Sequence, residues 1–188
     1  MRNFLIYIFL ILLTFINLNH LHASQRIYNY NVPDELSLVL STKSFAKYLI
    51  SLKNAYSDGV NIKDKYKRKF PAKVQFNNKI LRATARITGD WKDHISEDQS
   101  YSSLSINLKE GNIGGIIKFR LLRPNTRKKS NEVLWSILME KIGYPVPYRK
   151  YVKVKFLGKN LDFIFEERPQ KEFLESFGFR ETAIVEFD

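Results

Sequence analysis

The stretch VKVKFLGKNLDFIFEE, Val152 to Glu167, alternates apolar and polar residues on both sides of a glycine. Val152, Val154 and Phe156 fall on one side of an extended chain, with Lys153 and Lys155 on the other. Gly158-Lys159-Asn160 turns the chain, and Leu161, Phe163 and Phe165 run back. This is the pattern of an antiparallel hairpin with one buried and one basic face. It ends on Glu166 and Glu167, which face opposite ways as strand neighbours. They therefore make no single carboxylate dyad, and read as charges at an edge or hinge.

Working upstream, SNEVLWSILMEKIGYPVP reads as a helix: Ser130 or Asn131 caps it and Glu132 lies in its first turn. Leu134, Ile137, Leu138 and Ile142 form its expected buried stripe, and Gly143, Pro145 and Pro147 stop it. Before it the period is two. AKVQF and KILRATARITG flank Asn77-Asn78, a pair suited to a type I′ turn. In the second strand Leu81, Ala83, Ala85 and Ile87 point one way, and Arg82, Thr84, Arg86 and Thr88 the other. SLSINLK and IIKFRLL, joined through GNIGG, supply two further strands, and the polar stretch from Gly89 to Ser102 a loop. Trp91 and Trp135 read as packing residues, since neither belongs to a repeated aromatic pattern.

Nearer the start, Asp34 to Ala55 reads as a helix between Pro33 and Ser57-Asp58-Gly59, burying Phe45, Leu49 and Leu52 with Tyr48 and Ile50 beside them. At the other end QKEFLESFGF suggests a short helix and TAIVEFD a last strand. The order of antiparallel strands, one helix and a further hairpin gives an α+β expectation: an antiparallel curved sheet with a docked central helix.

Composition narrows the compartment and the partner. The 188 residues carry a formal charge of +12, which calls for an anionic ligand: nucleotide, acidic polysaccharide or lipid headgroups. MRNFLIYIFLILLTFINLNHLHAS has an early Arg, an apolar run from Phe4 to Ile16 and a polar tail, the layout of an export signal over residues 1–23. If retained, that segment anchors the chain and brings it to a membrane; if cleaved, the chain goes to the periplasm, envelope or exterior. Export disfavours nucleic acid as partner. The sequence has no cysteine, which excludes disulfides and thiolate chemistry, and its three histidines lack the spacing of a metal site. KDKYKRKFPAK, with Tyr66 and Phe70 among its basic residues, reads as a solvated loop or a clamp for an anionic surface.

From about Leu81 onward the chain resembles the N-terminal half of the spore-coat-protein-H (CotH) kinase-like family. The pieces that carry the likeness are ARITGDW, SLSINLK, IKFRLL, NEVLWSILMEKIGYPVP, YVKVKFLGKNLDFIFEE and PQKEFLESFGF. The residues themselves give a helical and basic segment over 24–70, and the resemblance implies that 71–188 is the small, nucleotide-facing lobe of a kinase-like fold. It implies ATP and Mg2+ as cofactors. The family's catalytic aspartates belong to its other half, so the lobe is expected to be truncated and incomplete for catalysis.

Four residues are the candidates for the phosphate side: Arg86, Lys109, Lys118 and Glu132. The three basic ones lie on the polar faces of strands. Glu132 could back a lysine as the helix glutamate of kinases does, or simply complement the helix dipole. The competing expectation is a non-catalytic basic module that binds acidic polysaccharide or an anionic membrane through Lys63 to Lys73 and the strand lysines.

Overall fold

A computed structural model describes residues 26–27, 30–127, 131–180 and 182–184. The expected signal at 1–23, the possible cap Ser130 and the end of the last expected strand lie outside these residues. Residues 182–184 are irregular.

Seven strands close into one mixed barrel: β1 (Glu35–Val39), β2 (Phe70–Phe76), β3 (Lys79–Ile87), β4 (Leu104–Leu108), β5 (Lys118–Leu122), β6 (Arg149–Phe156) and β7 (Lys159–Glu167). Around the barrel they run β1-β2-β3-β4-β5-β7-β6 and back to β1. This overturns the expectation of an open antiparallel sheet resembling a kinase small lobe. The element responsible is β1, taken from sequence as the start of a helix. Leu36 and Leu38 point inward and Glu35 and Val39 outward. β1 pairs antiparallel with β2 (Leu38 opposite Val74) and parallel with β6 (Leu36 opposite Val154), and so ties the two ends of the sheet together. Closure removes the free edges that an open sheet must protect.

The strand interiors follow the expected alternation. Ala83, Ala85, Ile87, Leu104, Ile106, Leu108, Phe119, Leu121, Val152, Val154, Phe156, Phe163 and Phe165 are all buried. Phe119 stacks on Phe165 with ring centroids 4.5 Å apart, and Tyr101 meets Phe163 edge-on at 5.8 Å. Side chains thus fill the barrel as a packed core, and ligands are left its outer surface. Asn77 and Asn78 take φ of 42° and 61°, as the first hairpin requires. In the second hairpin the turn is Leu157-Gly158, φ 52° and 76°, one residue earlier than the spacing suggested.

Among the described residues three α-helices accompany the barrel. α1 (Thr42–Ser57) starts at Ser41, whose Oγ accepts from the Ser44 amide at 3.2 Å. It buries Ser44, Tyr48, Ser51, Leu52 and Ala55, while Phe45, Leu49 and Ile50, expected inside, are exposed. Tyr48 plugs one end of the barrel, 5.6 Å from the Phe70 ring and 5.5 Å from that of Phe156. α2 (Asn131–Lys141) lies the other way round from expectation. Ser136 is its buried residue, while Leu134, Trp135, Ile137 and Leu138, with Ile142 just beyond, face solvent. α3 (Lys171–Ser176) adds a small cluster of Phe173, Leu174 and Phe177 at the end opposite Tyr48.

At that end Arg26 is 6% exposed and pairs with Glu140 at 2.9 Å and Glu167 at 3.1 Å. It also donates to the Val146 carbonyl and lies over the rings of Tyr30 (4.5 Å) and Phe177 (4.7 Å). Glu167 in addition accepts from the Tyr30 hydroxyl at 2.9 Å and the Tyr148 amide at 3.0 Å. Glu166, on the outer face, sits between Arg149 (2.7 Å) and Arg120 (3.2 Å). The two glutamates do face opposite ways. Each is buried in its own ion network, however, and neither is an exposed hinge charge.

Candidate functional site

The outer face of the sheet on both sides of β1 carries the candidate site. Pairing registers lay its residues in rows across the strands. One row runs Asn160, Lys155, Ser37, Gln75, through β7, β6, β1 and β2. Another runs Val39, Lys73, Arg82 and then Lys109, whose amide donates to the Arg82 carbonyl at 2.8 Å. A third sets Asp162 beside Lys153 and Lys153 beside Glu35. Outward direction is a consequence of the strand period: the partners one step along each strand fill the core.

Three depressions join along β1. One, of about 630 Å³, is lined by Val39, Pro71, Lys73, Arg82, Thr84 and Lys109. The next, about 690 Å³, shares Val39 and Leu40 with it and adds Phe45, Gln75 and Lys155. The third, about 630 Å³, shares Ser37, Gln75 and Lys155 and reaches Asn77, Asn78, Asn160 and Asp162. With neighbouring strands roughly 4.8 Å apart, the path over the sheet from Lys155 on β6 to Lys109 on β4 is about 19 Å.

The electrostatics are uneven along this groove. Arg82 is already paired: its guanidinium meets Glu110 at 2.8 Å, and that contact holds the Glu110 carboxyl below its ordinary range. Lys73, Lys109, Lys153 and Lys155 are exposed and make no ion pair among the described residues. Ser37, Gln75, Asn77, Asn78 and Asn160 supply neutral hydrogen-bonding groups between the ammonium groups. The arrangement can hold spaced negative charges and hydroxyls together.

The four residues singled out from sequence do not all belong to this groove. Lys109 does. Arg86 lies on the same outer face of β3, in the row of Ser105 and Arg120. Lys118 is outward on β5, and its Nζ donates to Gln170 Oε1 at 2.5 Å. Glu132 is 3.8 Å from Arg149 on β6. The partners of Lys118 and Glu132 are therefore Gln170 and Arg149, and the lysine–glutamate pair that the resemblance implies for ATP is not formed between them. Among the described residues no three His, Asp or Glu side chains gather as a metal site.

The residues that sequence reasoning passed over are Ser37, Gln75 and Asn160. Ser37 lay in the stretch read as helix. Lys73 and Lys155 were visible as basic positions on the right faces, but nothing local shows that β6 and β2 flank the same strand.

Fold and surface together define a class: a filled, closed barrel with an external basic groove. The sequence matches no protein-family model and no curated protein.

Proposed function

We propose that this protein is a non-catalytic module that binds an acidic polysaccharide along the outer face of β1. One observation carries the reading: a continuous groove in which unpaired Lys73, Lys109, Lys153 and Lys155 alternate with Ser37, Gln75, Asn77, Asn78 and Asn160. Carboxylates or sulfates of the polymer meet the ammonium groups, and sugar hydroxyls meet the amides and the serine. Phe45 and Phe76 offer apolar contact to sugar ring faces at the groove wall. Export through the N-terminal segment would bring the chain to where such polymers occur. The buried side chains that fill the barrel speak for a surface binder.

The test is isothermal titration of the full chain with heparin and with polygalacturonate, against neutral dextran. Binding is expected for the two polyanions only, and weakens as salt rises. Replacing Lys73, Lys109 and Lys155 together by Gln removes three exposed charge contacts of up to about 1 kcal/mol each, so affinity should fall roughly tenfold to a hundredfold. If that variant binds as tightly as the parent, while replacing Lys43, Lys47 and Lys53 of α1 abolishes binding, the groove is the wrong surface.

A further inference from the structure

The solvent-facing side of α2 is apolar, and its barrel-facing side carries Glu132, Ser136 and Glu140. Ser136 accepts from Arg149 Nη1 at 2.6 Å, Glu132 lies 3.8 Å from the same guanidinium, and Glu140 pairs with Arg26 at 2.9 Å. These contacts fix the rotation of the helix. At 100° per residue they put Leu134, Leu138 and Ile142 on the opposite side, with Trp135 and Ile137 on its flanks. Their exposures are 61, 58, 46, 50 and 54%, and Tyr144 beyond them is 57% exposed. A contiguous apolar face of this kind marks an interaction surface.

We propose that this face of α2 docks on an anionic lipid surface. Three features select that occupant. The carboxylates of the helix are turned inward and neutralised by arginines, which leaves Lys141 as the charge on the outer side. In sequence the helix is preceded by Arg127-Lys128-Lys129, residue types that suit anionic headgroups. A second copy docking face to face would instead bring like charges together. Trp135 and Tyr144 are residue types that settle at the level of headgroups, and Lys141 can extend past its apolar neighbours to reach phosphate.

The path of the chain agrees. Arg26 is held against Glu140 and Val146, so the chain enters the barrel beside α2, and the apolar run Phe4–Ile16 lies ten residues earlier. If that run is held in a bilayer, ten residues span at most about 36 Å. The helix therefore stays within reach of the same surface. The inference does not depend on the polysaccharide reading, which concerns another face.

Of the two tryptophans, Trp135 is on this face, so Trp91→Phe leaves a single reporter. The full-length Trp91→Phe chain is mixed with vesicles of equimolar phosphatidylglycerol and phosphatidylcholine, and with vesicles of phosphatidylcholine alone. A blue shift of Trp135 emission and its quenching by brominated lipid are expected with the anionic vesicles. Adding Leu138→Glu and Ile142→Glu, both at exposed positions, should weaken the response about tenfold or more. Co-flotation with an unshifted Trp135 would show attachment by the leader alone and overturn the proposal. Equal shifts on both vesicles would overturn the anionic assignment. A blue shift that appears without vesicles and grows with protein concentration would identify a second copy as the occupant, and overturn it as well.

Discussion

Glu167→Gln tests the ionic knot where Arg26 joins the barrel to α2. Glu167 and Arg26 are 3% and 6% exposed and 3.1 Å apart, so the substitution removes the charge of one partner from a buried pair. Such removals cost about 3–5 kcal/mol when the other charge is left uncompensated. Compensation is partial here. Arg26 keeps Glu140 at 2.9 Å, the Val146 carbonyl and the faces of Tyr30 and Phe177, and the glutamine oxygen can still accept from Arg26 and the Tyr148 amide while its NH2 donates to the Tyr30 hydroxyl oxygen. The expected loss is therefore about 2–3 kcal/mol, a fall in Tm of roughly 5–10 °C for a chain of this size. Circular-dichroism melts of the full chain measure it. Glu140→Gln is the internal comparison: its side chain is 34% exposed, so solvent screens the pair and the loss should stay below about 1 kcal/mol. A Tm for Glu167→Gln within about 1 °C of the parent, or a larger loss for Glu140→Gln, would refute the reasoning about burial.

Burial pushes the Tyr30 phenol up to about 12, and raises Tyr48 and Tyr148 by the same cause. The unfolded chain releases these protons near pH 10 while the folded chain keeps them. Stability is thus full below about pH 10 and declines as pH rises toward 12. Melts from about pH 8 to 11 should show that decline, and a flat Tm across the range would contradict it. Gly89→Ala is expected to cost about 2–3 kcal/mol, because the new Cβ would lie 2.1 Å from the His94 ring at φ +98°. Gly158→Ala meets nothing within 4 Å and bears only the positive φ of +76°, about 1 kcal/mol. Urea denaturation giving equal losses would rule out the His94 contact as the cause.

Strand period was legible because each strand carries its own evidence. The inward sets Leu81 to Ile87, Leu104 to Leu108 and Val152 to Phe156 lie along single stretches, and so does the Asn77-Asn78 turn. Closure was not legible, because it depends on β1. Five residues with two inward leucines resemble the first turn of the helix that follows them, and only pairing with β6, more than a hundred residues away, distinguishes the two. The groove shares that fate: Ser37 acquires neighbours Gln75 and Lys155 only when the barrel shuts. The burial of Glu166 and Glu167 was equally hidden, since it rests on Arg26, Arg120 and Arg149, three arginines from separate parts of the chain.

The reversal of α2 follows from the same principle, and it is where the likeness to a kinase small lobe parts from the structure. Helical periodicity states that one side is apolar; it does not state which side meets the protein. That choice is made by partners. Arg149 and Arg26 need carboxylates in a low-dielectric setting, and Glu132 and Glu140 lie on one side of the helix with Ser136 between them. Turning the stripe inward would bury five apolar side chains. It would also take Glu140 from Arg26, which is 6% exposed with four aromatic rings around it, and Glu132 from Arg149, leaving each guanidinium with its β7 glutamate alone. The loss of one carboxylate from each guanidinium is set against about 1.5–3 kcal/mol for each apolar side chain buried. The partners of Arg26 and Arg149 thus set the rotation of α2 and leave the stripe facing outward, where the proposed lipid surface would cover it.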